Sequence, residues 1–567
     1  MKKLFALALV LSMVIGLVPA LASGNNVANV FYGGGTPQSG DPALNSASNG
    51  SNVIKLSHAG LYGFQWVDGV AGLAPELASG YTLSDDTLTY TFTLRDGLKY
   101  SDGSLLNAAR YAFSLKRNIN PATAGEYAQI TDEIAGAPEW RGCGDDAAAC
   151  EAAMAVVDES VKATHADGAA CEGENVYEDA ACNTLTITLS RPAPYFHTVL
   201  SLWFTYPAKE ENISEGGENW WNSSKYQIGN GPYILSSLEP FVRATFTPNP
   251  NYWGGVGKVN IDFSYITDSA VAFEAYKGDE FDIIGLAAED LQVVQADPVL
   301  SQEAKIYPGS CTFALMFHQQ KEPFTDQKVR EAFAHAYDRE AWVRDVLSGL
   351  GSPALTWIPP GFPGFDPDED RWGFDPEAAK QAIADSSYGS IEALPPIKLT
   401  FSDSPRNRTR YEWLAAQWNE VLGVEVSLDP VEATTYTALT KDVATAPLAF
   451  ILGWCADYPD PQNWLSVYWK TGAFGERIGF SNAEFDAMVD KADVELDPEV
   501  RMQLYMDAQR HLVSLAPVAF AWNNQLNYLV KPWVTGIVTT PQDSAFPGAT
   551  ADTQLIDIDM AARAAAQ

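Results

Sequence analysis

The most regular hydrophobic pattern in the chain lies in residues 80–100, where YTLSDDTLTYTFTLRDGLKY alternates apolar and polar side chains on both sides of a turn. Period-two alternation interrupted by turn residues predicts a β-hairpin with one buried face. Shorter runs of the same kind predict strands at Val27 to Tyr32, in TLTITLS (184–190), and at Tyr233 to Leu238, Ala244 to Thr247, Val259 to Ile266 and Phe281 to Gly285. Helical spacing marks Asn107 to Arg117 and residues 269–278. Beyond Cys311 the rhythm lengthens, with helices expected at Val329 to Leu347, Pro376 to Ala384, Arg410 to Val421, Glu484 to Glu495 and Glu499 to Leu515. Helices alternating with strands predict an α/β lobe with a mixed sheet.

Residues 137–184 break the pattern, being poor in large apolar side chains and holding four of the six cysteines. They read as an insertion stapled by bridges. At the N-terminus, Lys2 and Lys3 precede an apolar run from Leu4 to Leu17, and Ala20-Leu21-Ala22 supplies a small-x-small cleavage pattern. The first 22 residues are therefore expected to be a secretory signal peptide, since the run falls short of the ~20 apolar residues an anchor needs. The product is expected outside the cytoplasm, periplasmic or on the cell-surface side. In such a compartment an even set of cysteines predicts disulfides. Six cysteines allow fifteen pairings. Cys143 and Cys150 flank one short segment and Cys171 and Cys182 another, which leaves Cys311 and Cys455; the pairing among the four between 143 and 182 stays open.

Composition excludes several function classes. With 567 residues, 46% of them hydrophobic, the chain can bury several cores. A formal charge of −36 repels phosphate backbones and weighs against nucleic acid as a partner. The motifs G-x-S-x-G, H-E-x-x-H and G-x-x-x-x-G-K-[ST] are missing, which disfavours a secreted hydrolase or a nucleotide enzyme. Gly33-Gly34-Gly35 lacks the spacing of a phosphate cradle. Asp366, Asp368, Asp370 and Glu377 mimic a calcium loop, but Arg371 stands where that loop needs glycine, so an acidic turn capping a helix is expected instead. Neither a metal site nor a cofactor is expected. Sixteen tryptophans exceed what ordinary cores require, and Trp357, Trp454, Trp464, Trp469 and Trp522 are candidates for lining a ligand pocket.

Six blocks then carry a family resemblance: GLYGF (60–64), the stretch from PELASGY to FSLKR (75–117), IGNGPYIL (228–235), NPNYWGG (249–255), PFTDQKVREAFAHAYDREAWV (323–343) and GWCADYPDPQNWL (453–465). In this order they resemble bacterial extracellular solute-binding protein family 5, the receptors of ABC importers, from about residue 27 to 540. GWCADY and SCTFALMFHQQKEPFTD (310–326) are most similar to its oligopeptide-binding members.

The resemblance implies an α/β fold of the periplasmic-binding-protein type, two lobes with a hinge plus an extra domain. It further implies a discontinuous domain I (23–58, 190–305 and 525–567), a domain II (59–189) and a lobe III (306–524), with the ligand between domain I and lobe III. The implied function is capture of oligopeptides by a monomer that docks on ABC permease subunits, with no catalysis of its own. Relatives that bind oligosaccharides or nickel chelates supply the alternative.

The resemblance also implies a Cys311 to Cys455 disulfide and places the ligand's ammonium on Asp457. Main-chain pairing is implied for Gly453, Trp454 and Cys455 and for Asn45, Ser46, Ala47 and Ser48. Two departures bear on the other end of the ligand: Ile451 stands where a carboxylate-binding arginine is expected, and Asn407, beside Arg406, Arg408 and Arg410, where a histidine is expected. Asn407 with Arg408, or Lys441, are the candidates to take over.

Overall fold

In the computed structural model of the chain, the described residues are 26–31, 36–46, 48–125, 127–266, 268–543 and 545–566. The expected signal peptide, the three glycines at 33–35 and Ala47 lie outside them. The chain enters on strand β1 (Val27–Phe31) and the helix Ser48–Ser57. Hairpin strands β2 (Tyr62–Val67) and β3 (Val70–Pro75) follow, then β4 (Ala78–Leu83) and β5 (Thr89–Leu94). In β5 the threonines face outward while Tyr90, Phe92 and Leu94 are buried, the alternation that the sequence predicts. The helix Ala108–Ile119 starts where Asn107 caps it, its side chain accepting from the Arg110 N–H at 3.2 Å.

The cysteine-rich segment is more regular than its composition suggests. Asp146 caps a helix, Ala147–Ser160, that leads into β6 (Val161–Thr164), and β6 joins β7 (Thr184–Thr188) in a four-stranded antiparallel sheet ordered β4-β5-β7-β6. Bridges Cys143–Cys150 and Cys171–Cys182 brace its two loops.

The rest of the chain builds one large mixed sheet from β8 (Tyr233–Glu239), β9 (Arg243–Pro248), β10 (Asn260–Ser264), β11 (Ile283–Gly285), β12 (Ala304–Phe317), β13 (Ser352–Pro353), β14 (Ile397–Ser402), β15 (Val426–Val431), β16 (Ala449–Cys455) and β17 (Val518–Val530). Its order is β15-β14-β16-β12-β17-β11-β1-β10-β9-β8, with β13 beside β17. Two long strands, β12 and β17, run through both halves. At one end they carry β11, through Ile283 opposite Val530 and Gly285 opposite Tyr528; at the other they carry β16, through Ala449 opposite Phe317 and Cys455 opposite Cys311.

Between these ends the ladder of β12 and β17 slips, with a register shift between Pro308 and Thr312. Strand β11 runs toward that seam from one side and β16 from the other. The loops after the parallel strands of both halves therefore converge on the seam, the end of an α/β sheet where ligands bind.

One expected helix is broken. Instead of a continuous run from Val329 to Leu347, Gln327–His335 stops and a new turn begins at Arg339, capped by Asp338. Arg339 is buried and donates to the carbonyls of Ala334, Tyr337, Ala354, Trp372 and Phe520, so its guanidinium takes the place of helical continuity. The apolar core divides into three main clusters. One gathers Val30, Val53, Phe246, Ile261 and Trp533, a second Phe92, Tyr111, Leu115 and Leu185, and a third Phe333, Leu399, Trp418, Phe450 and Leu512. Phe64 and Ala71, on the β2–β3 hairpin, belong to the third, so that hairpin packs across onto the lobe that carries β16.

Candidate functional site

Strand β16 is paired with β12 along its whole length but with β14 only as far as Phe450, opposite Thr400. Beyond that point its outer edge has no strand beside it among the described residues. In an antiparallel ladder alternate residues turn both backbone groups away from the partner. Ile451 is such a residue: its N–H donates to the Tyr436 hydroxyl at 3.1 Å, and that hydroxyl donates to its carbonyl. Period two puts the N–H and C=O of Gly453 and Cys455 on the same open edge. Gly453 cannot be replaced quietly, since a Cβ there would stand 2.6 Å from the Phe313 ring, which stacks on Trp522. The disulfide Cys311–Cys455 ties the end of this strand to β12 at the seam.

Asp457 follows directly. Its backbone N–H donates to Asn463 Oδ1 at 3.1 Å and its Oδ2 accepts from Asn463 Nδ2 at 3.1 Å. Asn463 is fully buried and also accepts from the Trp454 indole at 3.1 Å, so one amide orients both side chains. From the domain that carries β1, Gln542 donates to the carbonyls of Ala456 and Asp457 at 2.9 Å each, while accepting from Lys55 Nζ at 3.0 Å. Burial pushes the Asp457 carboxyl up to about 6, against the hydrogen bond from Asn463 and the positive charge of Lys55. Burial likewise lowers the Lys55 ammonium to about 8, opposed by Asp543 and Asp457. The Asp457 carboxylate is thus held by the Asn463 amide and, among the described residues, by no ion pair with arginine or lysine.

Asp457 and Trp454 line a cleft of about 900 Å³. Its other wall comes from Tyr127, Gln129, Ile130 and Glu133, residues of the 59–189 segment, and from Tyr195. The cleft thus opens between the lobe that carries β16 and the 127–133 segment with Tyr195, while Gln542 and Lys55 reach Asp457 from the domain that carries β1. Glu133 is already engaged by Arg191, at 2.8 Å through both oxygens, and by the Tyr195 hydroxyl.

The other expected site residues stand apart from this cleft. Asn45 is buried, with its amide donating to Ser51 Oγ at 2.9 Å and its carbonyl accepting from the Trp203 indole at 3.0 Å. Ser46 is exposed, and Ser48 opens the helix Ser48–Ser57. Asn407 sits in the first turn of the helix Pro405–Leu422 and donates to the Ser402 carbonyl at 2.8 Å. Arg408 forms a two-bond pair with Asp403, each bond 2.7 Å, and Arg406 pairs with Glu289.

Of the five candidate tryptophans only Trp454 lines the cleft; Trp357, Trp464 and Trp469 are fully buried and pack on one another and on Tyr468, while Trp522 is buried beneath Phe313. Asp366 is buried against Arg510 Nε at 2.7 Å, and Asp375 caps the helix Pro376–Asp385. No cluster able to hold a metal ion occurs among the described residues, and none of their helices is long and apolar enough to cross a membrane. Sequence reading missed Asn463, although it stands inside the GWCADYPDPQNWL block; Lys55 and Gln542 carry no local signal at all.

Comparison with known proteins identifies the family. Residues 72–476 match the model of "Bacterial extracellular solute-binding proteins, family 5 Middle". The chain is 26% identical over 496 residues to the oligopeptide-binding protein OppA of Bacillus subtilis, covering 85% of each chain. It is 27% identical over 500 residues to the probable deoxycholate-binding periplasmic protein YgiS of Escherichia coli, covering 85% of this chain and 86% of that one. The solved structure of the Escherichia coli murein tripeptide binding protein MppA superposes with a TM-score of 0.72 at 24% identity, covering 94% and 99% of the two chains. Its architecture is of the same mixed α/β, multi-domain kind.

Proposed function

Since the chain belongs to the bacterial extracellular solute-binding proteins of family 5, we propose that it captures peptides outside the cytoplasm and delivers them to an ABC-type importer. The observation that carries this reading is the open edge of β16 leading into Asp457. Backbone groups of Gly453 and Cys455 offer strand-like pairing to an extended ligand, which ignores side chains, and Asp457 offers a carboxylate to the one cation that nearly every peptide has, its N-terminus. Trp454 is held beside that carboxylate by Asn463. A charge-assisted hydrogen bond of this type contributes about 1.5–3 kcal/mol.

In this reading the three core clusters correspond to a discontinuous domain I (23–58, 190–305 and 525–567), a domain II (59–189) and a lobe III (306–524). The paired strands β12 and β17 act as the hinge, and closure presents a docking surface to the permease subunits. The protein works as an exported monomer and catalyses no reaction, the chemistry of import belonging to the ATPase of the importer. Native mass spectrometry after incubation with a peptide library tests this directly. Intact peptides recovered on the protein are expected; fragments would make it an enzyme, and an amine-free co-purified ligand would transfer the reading to a glycan, chelate or other amine-independent receptor.

A further inference from the structure

Resting on that reading, the charges and rings of the cleft say more about its ligand. Two cations line it with Asp457: Lys441, exposed at one edge, and Arg477, half-buried. Arg477 lies in the turn Phe474–Ile478, and its Nε donates to the Phe474 carbonyl at 2.9 Å. That bond fixes the guanidinium 5.3 Å from the centre of the Phe474 ring and leaves both terminal amino groups without a carboxylate partner among the described residues. In a chain this acidic, a half-buried arginine without a carboxylate stands out against Arg406 and Arg408, each neutralised by a neighbour.

The apolar part of the cleft is equally specific. Trp454 and Phe474 lie 5.0 Å apart and form a continuous aromatic wall, and Phe474 keeps 40% of its surface exposed. Tyr127 and Ile130 line the opposite side. Because Asn463 holds Trp454 and Asp457 together, this wall begins next to the proposed ammonium position and ends at Arg477.

We propose that the cleft selects peptides with a free C-terminus and a bulky apolar side chain close to the N-terminus. The side chain is taken between the Trp454–Phe474 wall and Tyr127 with Ile130, and the terminal carboxylate is taken by the paired amino groups of Arg477, with Lys441 adding positive charge at the edge. A planar guanidinium whose fork is open matches a carboxylate with two parallel hydrogen bonds. An apolar ring that leaves water for an aromatic slot adds a favourable burial of its own.

Calorimetry tests this with Ala-Phe-Ala, Ala-Phe-Ala-Ala and Ala-Phe-Ala-Ala-Ala, taking the tightest of the three forward. Against it are set its C-terminal amide, its Phe-to-Gly counterpart and its N-acetyl form, on the unmodified protein and on Arg477→Gln, Arg477→Lys and Phe474→Ala. Amidation and the loss of the ring are each expected to weaken binding about 10- to 100-fold on the unmodified protein. On Arg477→Gln the acid and amide should bind alike, and on Phe474→Ala the Phe and Gly peptides should converge, because each variant removes the contact the ligand change removes. Arg477→Lys should restore part of the preference for the acid.

An acid-to-amide ratio that survives Arg477→Gln overturns the carboxylate assignment, and equal binding of the Phe and Gly peptides overturns the aromatic slot. If acetylation alone abolishes binding, this inference falls while peptide capture stands. If none of the peptides binds, both fall.

Discussion

Strands β14 and β16 lie side by side and parallel, and each ends in a loop rich in polar residues, yet the two loops do opposite things with charge. After β14, Arg408 is paired with Asp403 and Arg406 with Glu289, all four side chains well exposed. After β16, Asp457 is partly buried, its carboxylate held by the Asn463 amide and its backbone carbonyl by Gln542, with Lys55 supplying positive charge nearby. Charges that are paired in water are nearly neutral in effect. A charge withdrawn from water without a strong partner is a site waiting for one. What sets the candidate binding position apart from the β14 loop is therefore the missing counterion, not the density of charged residues.

The largest effect is expected at Asp457 itself. Asp457→Ala should weaken peptide binding by about 2–5 kcal/mol, or about 30- to several thousand-fold, and N-acetylation of the peptide should cost a similar amount without adding to it. Calorimetry on the four combinations checks this, and unchanged affinity in both single cases would remove Asp457 from the site.

A second consequence concerns stability and has the opposite sign. The folded carboxyl titrates near 6, above its unfolded value of about 3.9, so between those values the folded state holds the extra proton and stability falls as pH rises through the window. The penalty is full above about pH 6 and absent below about pH 4. Asp457→Asn should thus stabilise the ligand-free protein by about 1–3 kcal/mol at pH 7, read as a raised denaturation midpoint, with the gain disappearing at pH 3.5.

The same titration governs binding. Protonation removes the anion that an ammonium needs, so affinity should decline by up to about tenfold per pH unit below about pH 6. Affinity should be greatest near neutrality, because the peptide's own amine loses its proton above about pH 8. A flat profile between pH 4.5 and 7 would contradict the role of Asp457, and Asp457→Asn should flatten it.

The smallest effects belong to the β14 loop. Arg406→Ala and Arg408→Ala should each change stability and peptide affinity by less than about 1 kcal/mol, as exposed pairs do. A larger loss of affinity in either would mean that the ligand extends to this loop, and the contrast between the two strands would fail.

Much of this protein is legible in its sequence because much of it is local. Alternation in YTFTL is enough to place Tyr90 and Phe92 inside. The helices expected near Asn107 and Pro376 start there, capped by Asn107 and Asp375, whereas the helix expected from Arg410 already starts at Pro405 behind the cap Ser404. The GWCADY motif similarly points to Asp457 by resemblance, since motif and residue are neighbours. The tryptophans show the limit: composition flags all of them, but only packing separates Trp454 in the cleft from Trp357, Trp464 and Trp469 in the core.

The surroundings of the carboxylate come from segments far apart in the chain. Gln542 stands 85 residues from Asp457, Lys55 belongs to the first helix, and the facing wall of the cleft comes from residues 127–133. Periodicity and capping report the preferences of a few consecutive residues, whereas burial and the absence of a counterion depend on which distant segments the sheet brings to its seam. The identity of the acidic residue is therefore written in the chain, and its raised pKa, its orientation and the partner it lacks are properties of the fold.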